Sequence, residues 1–410
     1  MNTHAETVIH AGQLLADPGQ PPKPRQSIVV KGGKIASVDN GFIEPPPSAT
    51  LIDLKDKFVL PGLIDCHVHL TGQFGPGHRL RTVEDSDPKI ALTGAYYAGL
   101  TLKAGFTTVR DVGALGHPDT IFALRAAVAE GKVPGPRILC VGTILSPTGG
   151  HGQTYGYRQD VCACVQSHSG TCDGVDDCRR AVRRQVSFGA DAIKFVATGG
   201  VLSNISAGID QQFVDDEIRT IIETAHRLGR RVAAHAHGAD GINAALRNGV
   251  DSIEHGSFLD DESIRLFLDK KAYHVPTIIA GVTALEMAKS SPDMTPAQAK
   301  KAFMVGTKIK EALARSHAAG VNIAFGTDMG VGPHGQNARE FAYMIEAGMK
   351  PAAAIKAATV NAAALLDIAD EVGTIAANKS ADIIAVDGNP LDDVTTLERV
   401  KFVMARGVIA

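Results

Sequence analysis

The sequence predicts an α/β protein, a (β/α)8 TIM barrel with a small composite β-sandwich domain formed from both termini. Three observations predict it. Short apolar strand candidates alternate with helical stretches through the middle of the chain. Both ends read as short alternating strands separated by turns. No G-x-G-x-x-G turn follows an early strand, which argues against the doubly wound dinucleotide-binding sheet that would share the alternation.

At the N-terminus, residues 7–11, 27–30, 34–38 and 50–54 alternate in the manner of strands. Turn clusters such as Asp17-Pro18-Gly19 and Lys31-Gly32-Gly33 separate them. The C-terminus repeats this character at 381–386 and 400–405, with Asp387-Gly388-Asn389-Pro390 as a turn. Residues 1–60 and 372–410 are therefore expected to share one β domain. Between them, in 61–371, strand candidates fall at 63–67, 107–110, 137–141, 192–195, 231–235, 252–255, 273–276 and 322–326. Helical stretches intervene, among them 119–130, 216–228, 238–248 and 295–318. That succession is the pattern of a (β/α)8 barrel. The glycine-rich segment 146–180 is an insertion after the third strand. Loops there lie on the catalytic face, so it is expected to overhang the site.

Composition narrows the function classes. With 44% hydrophobic and 21% charged residues over 410, the chain has material for a core and is not a disordered polymer. It lacks an apolar run of membrane-spanning length, so no membrane partner is expected. A net charge of −3 without a basic stripe points away from nucleic acid. Residues 1–13 lack a leader's basic and apolar regions. The chain as it stands reads as cytoplasmic, and as periplasmic or secreted if a leader was removed. Cys162, Cys164, Cys172 and Cys178 crowd the insertion. Disulfides, and hence an oxidising compartment, are the plainest reading. Zinc ligation or free thiols are the alternatives, and the C-x-C spacing lacks the paired C-x2-C form.

The chemistry concentrates at strand ends. In Pro61-Gly62-Leu63-Ile64-Asp65-Cys66-His67-Val68-His69, residues two apart share a side, so His67 and His69 aim two imidazoles at one point. His235, in Ala234-His235-Ala236-His237-Gly238, and His255, in Glu254-His255-Gly256, end consecutive strands and can share a metal. Asp328, in Gly326-Thr327-Asp328, follows an apolar run into the barrel mouth. A buried carboxylate there needs a cation, unless it caps the next helix. Lys194 lies within the apolar strand Ala192-Ile193-Lys194-Phe195-Val196. Burial lowers the pKa of such an amine, which can then take up CO2 as a carbamate; a buried salt bridge is the alternative. Tyr155, Tyr157 and Arg158 in the insertion could shape a pocket for an aromatic or carboxylate group, or lie solvated. His334 follows Asp328 on the last loop as a further pocket candidate.

His67, His69, Lys194, His235, His255 and Asp328 thus lie on strands 1, 1, 4, 5, 6 and 8. In that order they resemble the amidohydrolase superfamily of metal-dependent hydrolases with a urease-like β domain. The terminal run Ala381-Asp382-Ile383-Ile384-Ala385-Val386-Asp387-Gly388-Asn389-Pro390 shares the likeness. The resemblance implies a binuclear site, usually of zinc. His67, His69 and Asp328 would hold one ion, His235 and His255 the other, and a CO2-derived carbamate on Lys194 would bridge them. Two cations lower the pKa of a shared water and polarise a carbonyl, and Asp328 is implied as general base and then acid.

Within the superfamily, Thr107-Thr108-Val109-Arg110-Asp111-Val112-Gly113, Thr148-Gly149-Gly150-His151-Gly152 and Lys194-Phe195-Val196-Ala197-Thr198-Gly199-Gly200 resemble the prolidase, Xaa-Arg dipeptidase and ochratoxin-hydrolysing branch. That branch implies release of an amino acid from a small-molecule or dipeptide-like substrate. It also implies substrate contacts at His151 and His237, and a homo-oligomer. Competing readings are a cyclic-amide or lactone hydrolase and a metal-free scaffold. A deaminase commonly lacks a lysine on the fourth strand, so Lys194 argues against it.

Overall fold

Both ends of the chain supply strands to one sheet. In chain order the computed structural model has β1 (Thr7–Leu14), β2 (Lys23–Lys31), β3 (Lys34–Asn40), β4 (Thr50–Pro61), β5 (Leu63–Val68), β6 (Phe106–Asp111), β7 (Arg137–Cys140), β8 (Leu145–Ser146) and β9 (Gly170–Thr171). There follow β10 (Ala192–Val196), β11 (Arg231–Ala236), β12 (Ser252–His255), β13 (Tyr273–Val275), β14 (Asn322–Ile323), β15 (Ile383–Val386), β16 (Phe402–Ala405) and β17 (Val408–Ile409). The described residues are 6–154, 156–166, 170–203 and 208–410.

The terminal strands form one seven-stranded sheet in the order β17-β16-β15-β4-β1-β2-β3. A composite β-sandwich from both termini was expected; the strands form one ladder through β4 that folds over until its ends meet, with Ala381 N donating to Gly33 O and Lys34 bridging to Ser380. The long strand β4 runs parallel to β1 and then pairs antiparallel with β15 through Phe58–Pro61. The register slips between Ala11 and Gln13. Gly12 sits at that bulge, where a Cβ would lie 2.2 Å from the Lys55 carbonyl oxygen, so only glycine fits. Ile9, Leu14, Ile28, Val30, Val59, Ile383 and Met404 bury the sheet's own core.

The middle strands are parallel. β5-β6-β7 form one sheet, and β14-β13-β12-β11-β10-β8-β9 another. Backbone bonds cross both gaps. Cys66 N donates to Phe325 O (2.9 Å), Asp328 N to His67 O (2.7 Å) and His69 N to Met329 O (2.7 Å), while Asp191 N donates to Cys140 O (2.8 Å). The third strand is shorter than expected and resumes as β8, and the eighth shrinks to Asn322–Ile323. The stretch 295–318 is two helices, Pro296–Val305 and Lys308–Ala318, broken at Gly306, the poorer helix former.

The insertion holds a helix (Gln159–Gln166), the strand β9, and the start of a second helix (Val175–Ser187). Among the described residues no disulfide is formed, but Cys172 and Cys178 of the expected group lie side by side, thiol hydrogen-bonded to thiol. The two fill core space beside Leu145 and Val182, as small apolar side chains do. Among the described residues, no helix is long and apolar enough to cross a membrane.

Candidate metal centre

Strand alternation sorts β10 cleanly. Ile193 and Phe195 pack outward into the core, while Lys194 and Val196 face a central cavity of about 780 Å3. The same cavity is lined by His67, His69, His235, His237, His255 and Asp328.

β12 departs from the rule. Ser252 and Glu254 share one face, so strict alternation would turn His255 away from them. His255 has φ +72°, a left-handed backbone that non-glycine residues seldom adopt. Its ring therefore ends 5.1 Å, centroid to centroid, from His67, the ring that Glu254 also reaches. Asp328 (φ +59°) and Thr277 (φ +50°), in the segments that follow β14 and β13, are likewise left-handed. Such strain gathers where geometry is held for a function.

The ligand atoms cluster in two buried groups. One comprises His67, His255 and Asp328, the other His235, His237 and His255, with atoms within 4.8 Å of one another in each. His69 joins the first group through Nε2, 3.2 Å from Asp328 Oδ1. The rings are tethered at their other nitrogens. His67 Nδ1 lies 2.8 Å from Glu254 Oε2, His69 Nδ1 2.7 Å from the Gly113 carbonyl, and His255 Nδ1 2.6 Å from Thr277 Oγ1. That leaves Nε2 to face the cavity, as metal-binding histidines require. Imidazole nitrogens with a carboxylate and a buried amine suit a borderline divalent cation, so the donor set fits a metal.

Electrostatics agree with the geometry. Burial alone would raise the Asp328 carboxyl, but His67 and His69 hold it below the usual carboxylate range. Burial, reinforced by neighbouring imidazoles, pushes His235 and His255 well below an ordinary histidine. Burial also lowers His237 to about 3, His151 to about 4 and Lys194 to about 8. Neutral imidazoles are the ligand form, which burial favours at His235, His237 and His255; at His69 burial is outweighed by the Asp328 carboxylate, which raises the ring.

Not every candidate reaches the cavity in the same way. His151 lines it, its ring tilted against His235 with centroids 4.4 Å apart, with a buried Nδ1 that has no partner. Its ring lies against Gly200, where a Cβ would come within 2.3 Å, so the second glycine of Gly199-Gly200 makes room for it. His237 lines the cavity with Nδ1 2.8 Å from Ser257 Oγ. Tyr157 is at the mouth, its hydroxyl donating to the Arg79 carbonyl. Arg158 does not line the cavity; it is exposed and pairs with Asp160 (2.8 Å). His334 stands behind the wall, stacked 4.3 Å from Tyr97 and bonded to the Gly72 carbonyl. Tyr155 lies outside the described residues.

The sequence reading missed the brace beneath the histidines. Arg110, fully buried on β6, donates to Glu254 Oε1 (2.8 Å) and to the Cys66 carbonyl (2.6 Å). Glu254 shares its other oxygen with His67, and Arg110 is the largest opposing influence that keeps its carboxyl low against burial. An arginine within an apolar strand was the available signal. Asp65 likewise accepts from His67 N (3.0 Å), Thr327 Oγ1 (2.6 Å) and Asn337 Nδ2 (2.8 Å), tying the first strand to the segment that carries Asp328.

Comparison with known proteins accords with this geometry. The family model described as "Amidohydrolase family" matches residues 58–410. Ochratoxinase of Aspergillus niger is 31% identical over 428 aligned positions, covering 97% of this chain and 84% of that one. A solved Xaa-Pro dipeptidase with methionine bound in its active site is 38% identical, with a TM-score of 0.91 and coverage of 99% and 100%. A prolidase complexed with N-methylphosphonate-L-proline is 31% identical, with a TM-score of 0.89 and coverage of 99% of each chain.

Proposed function

The chain belongs to the amidohydrolase family and is a hydrolase acting on amide bonds, and from that premise we propose a binuclear enzyme that releases an amino acid from a dipeptide-like or N-acyl amino acid substrate. The observation that carries the proposal is the convergence of His67, His69, His235, His255, Asp328 and Lys194 on the floor of one cavity. The α/β fold is read as a closed (β/α)8 barrel spanning 61–371, with 1–60 and 372–410 as its β companion.

Family membership implies a divalent metal, and the two donor groups, which share His255, suit a pair of ions. Zinc is the proposed ion, and Lys194, as a carbamate, would be among the residues that hold it. The burial of Lys194 leaves a neutral-amine fraction near pH 7 that an ordinary lysine lacks, as carbamate formation with CO2 requires. When bound, such ions activate water and polarise the scissile carbonyl.

The chain's own residues supply the rest. The low carboxyl of Asp328 accepts the proton of the attacking water and returns it to the leaving nitrogen. His151, kept neutral by burial, lines the cavity and can donate from its ring to the carbonyl oxygen as charge develops there. His237 is oriented by Ser257 toward the same space. The names of the relatives support two substrate classes: Xaa-Pro dipeptides, and aromatic-acyl phenylalanines of the ochratoxin A type. A panel of both, with N-acetyl amino acids and a cyclic amide, tests this reading. Release of a free amino acid from at least one linear substrate is expected. Cleavage of the cyclic amide alone would overturn it.

A further inference from the structure

His255 belongs to both donor groups, so its orientation matters more than that of any other ring. Its Nδ1 lies 2.6 Å from Thr277 Oγ1, and that hydroxyl donates to the Pro276 carbonyl at 2.8 Å. A hydroxyl has one proton. With that proton given to Pro276, the oxygen accepts from His255, which fixes the Nδ1–H tautomer and leaves the Nε2 lone pair for the cavity. His274 Nε2 donates to the His255 backbone carbonyl at 3.0 Å and steadies the same turn.

Thr277 is itself held in an unusual state. It is fully buried, β-branched and left-handed, and the helix Ile278–Ser290 starts directly after it. The first two amides of that helix donate to one carboxylate from a different helix, Arg339–Glu346. Ile278 N reaches Glu340 Oε1 at 2.8 Å and Ile279 N reaches Oε2 at 2.7 Å. Glu340 is fully buried. Burial pushes the Glu340 carboxyl up, and the two helix N-terminal amides that its oxygens satisfy pull it part of the way back down. The same contact also sets where Thr277 stands.

We propose that Glu340 and Thr277 are positioning residues for the metal centre: Glu340 anchors the start of helix 278–290, the anchored helix holds Thr277, and the Thr277 hydroxyl presents His255 Nε2 to the metal. The same helix brings Ala280, Gly281 and Ala284 to the cavity wall, so Glu340 also fixes one side of the substrate space. This proposal rests on the metal reading of His255 given above.

The test measures zinc affinity by competition with a chromophoric chelator, beside thermal unfolding of the metal-free protein. Thr277→Val keeps the shape and removes the hydroxyl; it is expected to weaken zinc binding by about 10–100-fold. Thr277→Ser is expected to restore wild-type affinity. Glu340→Gln, with one acceptor for two amides, is expected to weaken zinc binding in the same direction by a smaller factor. It carries the test if Thr277→Val does not fold. Wild-type affinity in both Thr277→Val and Glu340→Gln overturns the proposal. So does a fall in affinity that serine does not rescue and that follows only a lowered unfolding temperature. Wild-type protein that takes up no zinc overturns the metal reading itself, a failure seen before any variant is compared.

Discussion

The floor and the mouth of the cavity are built by different means. On the floor, His67, His69 and His255 each have Nδ1 occupied by a named partner, and Glu254 and Arg110 brace them from beneath. At the mouth, Arg79 donates to the Gly156 carbonyl, Arg81 to the carbonyls of Gln73 and Pro76, and Lys89 pairs with Asp85, all at half-buried or exposed positions. Buried bonds lose their partners at full cost, whereas exposed ones exchange with water. On the proposed function, the strands would set the chemistry and the loops the choice of substrate.

Substitutions should separate the two regions, with the largest effects on the floor. Asp328→Asn keeps volume and removes the proton acceptor. It should lower kcat by at least about 10²–10⁴-fold in steady-state assays while the protein stays folded. Lys194→Ala should likewise abolish measurable turnover in a folded protein, as judged by circular dichroism. Near wild-type rates in either variant would remove that residue from the mechanism. Arg110→Met strands Glu254 without its guanidinium and should cost about 3–5 kcal/mol in denaturant unfolding. A loss under 1 kcal/mol would mean that the brace is dispensable. At the mouth, Tyr157→Phe removes one hydroxyl bond worth about 1 kcal/mol. Because that bond ties the insertion to the Arg79 carbonyl, denaturant unfolding should show a loss of about that size with kcat little changed. Arg158→Ala, exposed and paired only with Asp160, should leave stability within about 0.5 kcal/mol and kinetics unaltered.

The same division explains what the sequence made legible. The six candidate ligands stand out because histidines, a lysine and an aspartate interrupt or end apolar strands, a pattern that needs no tertiary knowledge to read. Their bracing does not stand out. Glu254 and His255 are neighbours, and strand periodicity assigns them to opposite faces. Only the left-handed backbone at His255 lets both reach His67. Glu340 is about sixty residues from the amides it holds, and nothing local in its helix marks it. At the insertion clustered cysteines suggested disulfides, and the fold packs Cys172 and Cys178 against each other in the core as thiols. At the ends of the chain the alternating strands were legible, but not that β4 joins both halves into one ladder whose ends meet at Gly33 and Ala381. Arg158 and His334 were plausible by position alone. Loop side chains go where hydrogen bonds and stacking place them, and periodicity carries no information about that.

Metal content tests the central claim most directly. Protein purified without chelators, and again after zinc and bicarbonate are added and excess is removed, should carry two zinc ions per chain by elemental analysis, and one or none after Lys194→Ala. No bound metal in the wild-type protein under either condition would contradict a binuclear centre.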